Sequence, residues 1–104
     1  MKLIVVITNK TDATLVTGAM AKAGYSSTVT NSYGGFSNKE NAVIFSGVDD
    51  NKVQSVLRII GDNTDERIAD VSEGISADNF NPPTQVKIGG AIVFVLDVEQ
   101  FARL

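Results

Sequence analysis

The pattern of hydrophobic and polar positions begins with a strand, a helix and a second strand. Residues 3–7 form a continuous apolar run of mostly β-branched side chains, which is typical of a strand covered on both faces. Apolar residues then recur at helical spacing and predict a helix over 12–23 that stops at Gly24. Alternating side chains over 25–31 predict the second strand.

A second unit of the same kind follows. Residues 42–48 predict a third strand, and Gly47 inside it indicates a bulge or the close approach of another group. Residues 49–51 offer a helix start with acidic side chains, and the helix is expected to end at Gly61. Its apolar stripe consists of Val53, Val56, Leu57 and Ile60. Residues 67–71 are a weak fourth strand.

Two β-α-β units in tandem, about 1–31 and 42–72, predict an α+β fold, a ferredoxin-like sandwich with two helices on one face of an antiparallel sheet. Residues 72–84 are expected to be a long surface loop. The C-terminal stretch 85–98 is strand-like and longer than most strands, and Gly89-Gly90 would bend it or admit a bulge. Because one small sheet cannot cover so long an apolar strand, we expect self-association in a closed ring.

Composition narrows the function classes. The 104 residues predict one domain, and a net charge of −3 without a basic stripe argues against polymeric nucleic acid as a partner. The absence of cysteine and histidine excludes a zinc site and a Ser-His-Asp arrangement, and no EF-hand spacing is present. We therefore predict no metal and no cofactor. The apolar run 3–7 is too short for a membrane span or signal peptide, so the expected location is cytoplasmic.

Carboxylates at several positions could form an acidic catalytic site. They are Asp49, Asp50, Asp62, Asp65 and Glu66. No general base suited to neutral pH, nucleotide-binding lysine loop or nucleophile constellation accompanies them, and helix capping explains the first two. The sequence therefore predicts a protein that is not an enzyme and has no catalytic residue.

A glycine pair followed by an aromatic residue is the main candidate for ligand chemistry. Gly34 and Gly35 permit a sharp turn or a close approach to a ligand, and Phe36 then stands among polar residues. An aromatic residue in that position could stack on a flat base. Alternatively, Phe36 folds back under its own hairpin. The hydroxyls of Thr28 and Thr30 share one strand face and form either a polar wall beside the turn or an ordinary solvated face.

Several of these stretches occur in one order and spacing that is similar to a known family. They are the opening MKLIVV, Thr28 ahead of Gly34-Gly35-Phe36, Asn41 at the next strand, FSGVDD from Phe45, VKIGGAIVFV from Val86, and VEQF from Val98. Over nearly its whole length the chain resembles the PII-like signal-transduction proteins, and more closely their cyclic di-AMP receptor branch (PstA type).

The resemblance implies a ferredoxin-like trimer that binds a nucleotide, with cyclic di-AMP first among adenine nucleotides, in clefts between subunits. It implies a T-loop at about 33–41, a B-loop at about 67–84, and relay of the signal to a protein partner that the sequence does not identify. The ligand-binding positions carried over are Thr28, Gly34, Gly35, Phe36, Ser37, Asn41, Gly47 and Phe94. Chemically, Phe36 would offer an aromatic face, Asn41 an amide for the adenine edge, and the glycine turn N–H groups for phosphate.

Four positions depart from the receptor pattern. Ser37 replaces a bulky apolar residue, Glu40 a glycine, Tyr33 a small residue, and Ser26 a longer polar or basic one. An unpaired carboxylate beside a phosphate site, when partly desolvated, can cost about 1 kcal/mol or more, on the order of a tenfold loss of affinity. The departures favour an alternative: a divergent paralogue that does not bind cyclic di-AMP and acts as a protein-interaction trimer or senses another ligand.

Overall fold

Strands and helices alternate along the chain. The computed structural model describes residues 1–34, 37–64, 67–70, 85–88 and 90–104. The elements are β1 (Lys2–Asn9), α1 (Lys10–Lys22), β2 (Thr28–Gly34), β3 (Ser37–Val48), a 3₁₀ turn (Asp50–Lys52), α2 (Val53–Asn63), β4 (Arg67–Asp70), β5 (Gln85–Ile88) and β6 (Ala91–Asp97).

The main sheet has four strands in the order β2-β3-β1-β6, and all neighbouring strands are antiparallel. This order, with both helices packed on one face, confirms the predicted ferredoxin-like α+β fold. The prediction that residues 67–71 supply the fourth strand of this sheet is wrong. That place belongs to β6, whereas β4 pairs with β5 in a separate two-stranded ribbon.

The predicted strand over 85–98 is divided at its glycine pair. Gly90 has φ of +83°, a left-handed conformation that glycine adopts without strain. The chain therefore turns between β5 and β6, and the two halves belong to different sheets. The predicted bend is confirmed. The predicted loop over 72–84 lies outside the described residues.

The core lies between the helices and one face of the sheet. In β1 the buried positions alternate, so that Ile4, Val6 and Thr8 are covered while Leu3, Val5 and Ile7 are half-buried. The described core comprises Ile4, Val6, Ala13, Val16, Met20, Ala42, Ile44, Val48, Val56 and Ile60. The single chain thus covers β1 fully on one face only, not on both as the sequence predicted.

The first helix begins two residues earlier than predicted. The side-chain oxygen of Asn9 accepts a hydrogen bond from the backbone N–H of Asp12 at 2.8 Å, and its amide donates to the Asp12 carboxylate at 3.0 Å. Asn9 is therefore the N-cap, and Asp12 belongs to the first turn. Gly24, with φ of +90°, follows the helix end as expected.

The second helix extends beyond the predicted stop at Gly61. Asn63 and Thr64 donate side-chain hydrogen bonds, each of 2.8 Å, to the carbonyls of Ile59 and Ile60. These side-chain bonds to the carbonyls four residues earlier add to the backbone bonds of the last turn, so glycine is not needed as the stop. The predicted apolar stripe is confirmed, since its four residues all belong to the core or pack against it.

Both strands of the β2–β3 hairpin differ from their predicted limits. β2 begins at Thr28 rather than Tyr25, because the N–H of Tyr25 bonds to the carbonyl of Met20 at 2.9 Å and continues the helix end. β3 begins at Ser37, five residues before the predicted start. The hairpin therefore extends past Asn9, the last residue of β1, which pairs with Asn41.

Candidate functional site

The face of the main sheet that points away from the helices is the candidate site, and we call it the open face. Strand register places its side chains in rows across the sheet. One row is Thr28, Phe45, Val5 and Phe94, and the next is Thr30, Val43, Ile7 and Ile92. The open face also includes Leu3, Leu96, Asn41 and Gly47. It has an apolar centre with threonines along the β2 edge.

The apolar centre is exposed to solvent. Phe94 is 51% exposed and Phe45 is 38% exposed, with Ile92 and Leu96 between these values. Since a large aromatic side chain presents about 150–250 Å² and Ile or Leu somewhat less, these exposed fractions leave roughly 300–350 Å² of apolar area uncovered. A contiguous patch of several hundred Å² is as large as the largest patch on most monomers and commonly marks a binding surface.

Four of the eight predicted ligand-binding residues lie on the open face. Thr28 and Phe94 belong to the same row but to opposite edge strands, three strand spacings or about 14 Å apart. Asn41 and Gly47 lie six residues apart on β3, or about 20 Å. The fold therefore brings these residues to one face but does not join them in one pocket of a single chain.

The accessibility of these four residues differs. Thr28, Gly47 and Phe94 are exposed, whereas Asn41, between Ser32 of β2 and Asn9 of β1, is 7% exposed. Only Thr28, Gly47 and Phe94 of these four are therefore accessible from the open face.

Gly47 sits in a regular stretch of β3. Its register is continuous, with Leu3 opposite Gly47 and Ile4 opposite Ser46, so the predicted alternative of a bulge is wrong. A Cβ added at Gly47 would lie 3.8 Å from the Met1 sulfur, an ordinary van der Waals contact. The packing of this chain therefore does not demand glycine there. The other alternative, close approach of another molecule, stays a prediction.

The remaining predicted residues belong to the hairpin tip. Gly34, at the end of β2, pairs with Ser37, the first residue of β3, after a register shift between Ser32 and Gly34. Gly35 and Phe36 lie outside the described residues, so the orientation of the Phe36 ring stays a prediction.

A buried hydroxyl that the sequence did not single out lies near the base of the hairpin. Thr8 is 4% exposed, and its hydroxyl donates a 2.8 Å hydrogen bond to the carbonyl of Gly90. This bond fixes the turn through which the β4–β5 ribbon joins the sheet. No sequence signal marks Thr8, because its partner is a backbone atom 82 residues away.

The hairpin tip and the ribbon leave the sheet at the same end. β1 ends at Thr8 and Asn9, which face Ala42 and Asn41 on one side, while Thr8 faces Ala91 on the other. The segments predicted as T-loop and B-loop therefore begin within a few residues of the β1 terminus.

Ion pairs fix the opposite end of β1. The N-terminal amine contacts the Asp50 carboxylate at 2.9 Å, and Lys2 pairs with Asp97. The hydrogen bond from the amine lowers the pKa of Asp50, and the hydrogen bond to Asp97 raises the pKa of Lys2. These contacts fix Met1 beside Gly47.

The described residues contain neither a metal-binding cluster nor a membrane-spanning helix. Among them, no group of three or more acidic, histidine or cysteine side chains is placed to hold a metal ion. Within the same ranges, neither helix has the length and apolar character to cross a membrane. Of the carboxylates considered as an acidic site, Asp65 and Glu66 lie outside the described ranges.

Comparison with known proteins gives two findings. A family model described as "Cyclic-di-AMP receptor" matches residues 1–104, the whole chain. Among solved structures, the chain is similar to the crystal structure of a functionally unknown protein from Pediococcus pentosaceus ATCC 25745. The TM-score is 0.74 at 28% sequence identity, with 99% of this chain and 96% of that chain covered.

Proposed function

We propose that this chain, which belongs to the cyclic-di-AMP receptor family, is a non-enzymatic PII-like signalling protein. It binds a nucleotide second messenger, with cyclic di-AMP as the first candidate, in clefts between the subunits of a trimer. The family match over the full length supports nucleotide binding in general. What we propose beyond the family match is the identity of the nucleotide, the trimeric assembly and the relay to a downstream protein.

The observation that carries the proposal is the spread of Thr28, Gly47 and Phe94 over an open apolar face. These residues are exposed and too far apart for one chain to enclose a ligand between them. A neighbouring subunit laid on the face would cover the apolar centre and turn its margins into clefts. Each cleft would then have an aromatic ring, a hydroxyl and a strand glycine along its walls.

These groups suit a cyclic dinucleotide. Adenine stacks on an aromatic ring, for which Phe36 and Phe94 are the candidates. The backbone of Gly34, Gly35 and Ser37 would offer N–H groups to phosphate. A ligand with only two negative charges can be held by such donors on a chain with a net charge of −3.

Relay of the signal would use the shared end of the sheet. Because the hairpin tip and the ribbon both begin beside the end of β1, one ligand there would bias the arrangement of both segments. Their new arrangement would be presented to a protein partner. The cytoplasmic location is part of this proposal, and cell fractionation tests it.

Calorimetry with cyclic di-AMP, cyclic di-GMP, ATP and AMP tests the central claim. We expect saturable heat with cyclic di-AMP and at least a tenfold loss of affinity in Phe36→Ala. Leu15→Ala is the matched control, since Leu15 is an exposed apolar residue on the helix side, and it should bind normally. Absence of heat with all four nucleotides, or undiminished binding by Phe36→Ala, would contradict the proposal.

The second candidate function is that of a divergent paralogue that does not bind cyclic di-AMP. Glu40 and Ser37 on the hairpin favour it, because one adds negative charge and the other removes an apolar wall. The double variant Glu40→Gly with Ser37→Leu separates the two. New or at least tenfold tighter cyclic di-AMP binding would support the paralogue, and unchanged binding would exclude these two residues as the cause.

A further inference from the structure

Met1 lies at one end of the open face and is fixed there through its amine, its carbonyl and its side chain. The amine pairs with Asp50 at 2.9 Å, and the carbonyl accepts a 3.3 Å hydrogen bond from the N–H of Val98. The sulfur lies 3.8 Å from the point that a Cβ on Gly47 would occupy. The thioether therefore has a defined position beside the backbone of Gly47.

Gly47 leaves a notch in the open face. Its register partner Leu3 and the residue two positions earlier, Phe45, carry large side chains on the same face, whereas Gly47 carries none. Apart from its neighbours in the chain, the described residues place only the Met1 sulfur within 4 Å of a Cβ added there. Met1 therefore borders the notch, and a molecule that enters the notch meets its sulfur.

The chain has few sulfur atoms, and only one of them is accessible. The sequence contains two methionines and no cysteine. Met20 is 0% exposed in the core, whereas Met1 is 43% exposed. Because a solute oxidises a thioether only when it can reach the sulfur, a peroxide in solution should modify Met1 and spare Met20.

We propose that Met1 is an oxidation site whose sulfoxide closes the Gly47 notch to the nucleotide. Hydrogen peroxide transfers one oxygen atom to the sulfur: an S–O bond forms, the O–O bond breaks, and water leaves with both protons. The sulfur is thereby oxidised by two electrons and the peroxide is reduced. This inference rests on the proposed function, which places Gly47 in the nucleotide cleft, and it adds control of that cleft by peroxide.

The sulfoxide differs from the thioether in size and polarity. Oxidation adds an atom and a strong dipole to a side chain that was apolar and flexible. The added oxygen stands where a ligand would approach the Gly47 backbone, beside the apolar side chains of Leu3 and Phe45. A nucleotide bound at Gly47 should in turn cover the Met1 sulfur and shield it from peroxide.

Peptide mass spectrometry after peroxide treatment locates the modified sulfur. We expect Met1 to gain one oxygen atom and Met20 to remain unmodified, while the urea midpoint of the protein stays unchanged. Saturating cyclic di-AMP, or whichever nucleotide of the calorimetry panel the unmodified protein binds, should slow the oxidation of Met1 by about threefold or more. An unreactive Met1, equal oxidation of Met20, or oxidation at an unchanged rate with the nucleotide bound would overturn the inference.

Calorimetry with the same nucleotide measures the effect on binding. The oxidised protein should bind about fivefold more weakly or worse, and methionine sulfoxide reductase should restore the affinity. Gly47→Ala already fills the notch with a methyl group, so its oxidation should weaken binding by less than about twofold further. Protein with norleucine in place of methionine is the matched control, because it has the same shape and no sulfur. Peroxide should leave its affinity unchanged.

These measurements separate the oxidation site from the proposed function. No heat from the unmodified protein with any nucleotide of the panel refutes both together. Nucleotide binding that is equally tight before and after oxidation of Met1 refutes the oxidation site alone. A loss of affinity that the norleucine protein shares after peroxide treatment would assign the effect to another residue and refute the oxidation site as well.

Discussion

Replacing Thr8 by valine tests how the β4–β5 ribbon is attached to the sheet. Valine keeps the shape and β-branching of threonine, so the change removes the hydroxyl that donates to Gly90 at 2.8 Å and little else. A neutral hydrogen bond contributes about 1 kcal/mol net, and an acceptor left without its partner costs about 1–3 kcal/mol. Because Gly90 is half-buried, water can replace part of the bond. We expect a loss of about 1–2 kcal/mol in the free energy of unfolding.

Urea unfolding at fixed protein concentration measures this loss. With a dependence of about 1–3 kcal/mol per molar urea for small domains, the midpoint should fall by roughly 0.5–1 M. Amide exchange should accelerate most at the start of β6, next to the turn at Gly90. Thr30→Val is the control, since Thr30 is an exposed strand residue whose hydroxyl has only a 3.5 Å contact.

The control should change stability by less than about 0.5 kcal/mol, as exposed substitutions usually do. If Thr8→Val is no less stable than Thr30→Val, the hydrogen bond to Gly90 does not hold the turn. The reasoning about the ribbon would then be wrong. Equal acceleration of amide exchange across the whole sheet would also contradict it.

Three further predictions follow from single contacts. Gly47→Ala should leave the urea midpoint almost unchanged, because within 4 Å the new methyl group contacts only the Met1 sulfur, at 3.8 Å. The same variant should bind the nucleotide at least tenfold more weakly in calorimetry. An unchanged affinity would show that Gly47 does not belong to the site. Asn9→Ala should destabilise the protein by about 0.5–2 kcal/mol through loss of the helix cap, measured by urea unfolding against Asn51→Ala at an exposed position. The hydrogen bond from the N-terminal amine lowers the pKa of Asp50 below its ordinary value of 3.8. The ionised Asp50 therefore stabilises the folded protein above pH 3.8, and this stabilisation is lost as the pH falls through the pKa of the folded state. Asp50→Asn should therefore flatten the acid side of the stability profile slightly, and an NMR titration showing an ordinary Asp50 pKa would contradict the ion pair.

Local pattern predicted the elements well where periodicity was strong. The apolar stripe of α2 and the run that became β1 were both placed correctly, because burial on one side imposes a spacing that the sequence records. Boundaries were less accurate where side-chain hydrogen bonds decided them. The hydrogen bond from the Asp12 N–H to the Asn9 side chain begins α1 two residues earlier than predicted. Side-chain hydrogen bonds from Asn63 and Thr64 accompany the extension of α2 beyond Gly61.

The sequence proposed residues for the candidate site but did not predict their arrangement in space. Resemblance to a family pointed to Thr28, Gly47 and Phe94, and the structure places them on one face. Their separation of about 14–20 Å follows from strand order and register, which the positions along the chain do not reveal. The role of Thr8 could not be predicted from the sequence, because its hydroxyl donates to the carbonyl of Gly90, which is 82 residues away along the chain.

The sequence by itself determined the periodicities, the bend at Gly90, and the excess of apolar residues in the last strand. These features are local, because the side chains and backbone preferences that produce them are encoded within a few residues. Only the tertiary structure decided that β6 rather than β4 completes the sheet, and that the face opposite the helices is left open. Strand pairing joins residues far apart in sequence, and its free energy depends on which surfaces remain to be covered once both helices have packed.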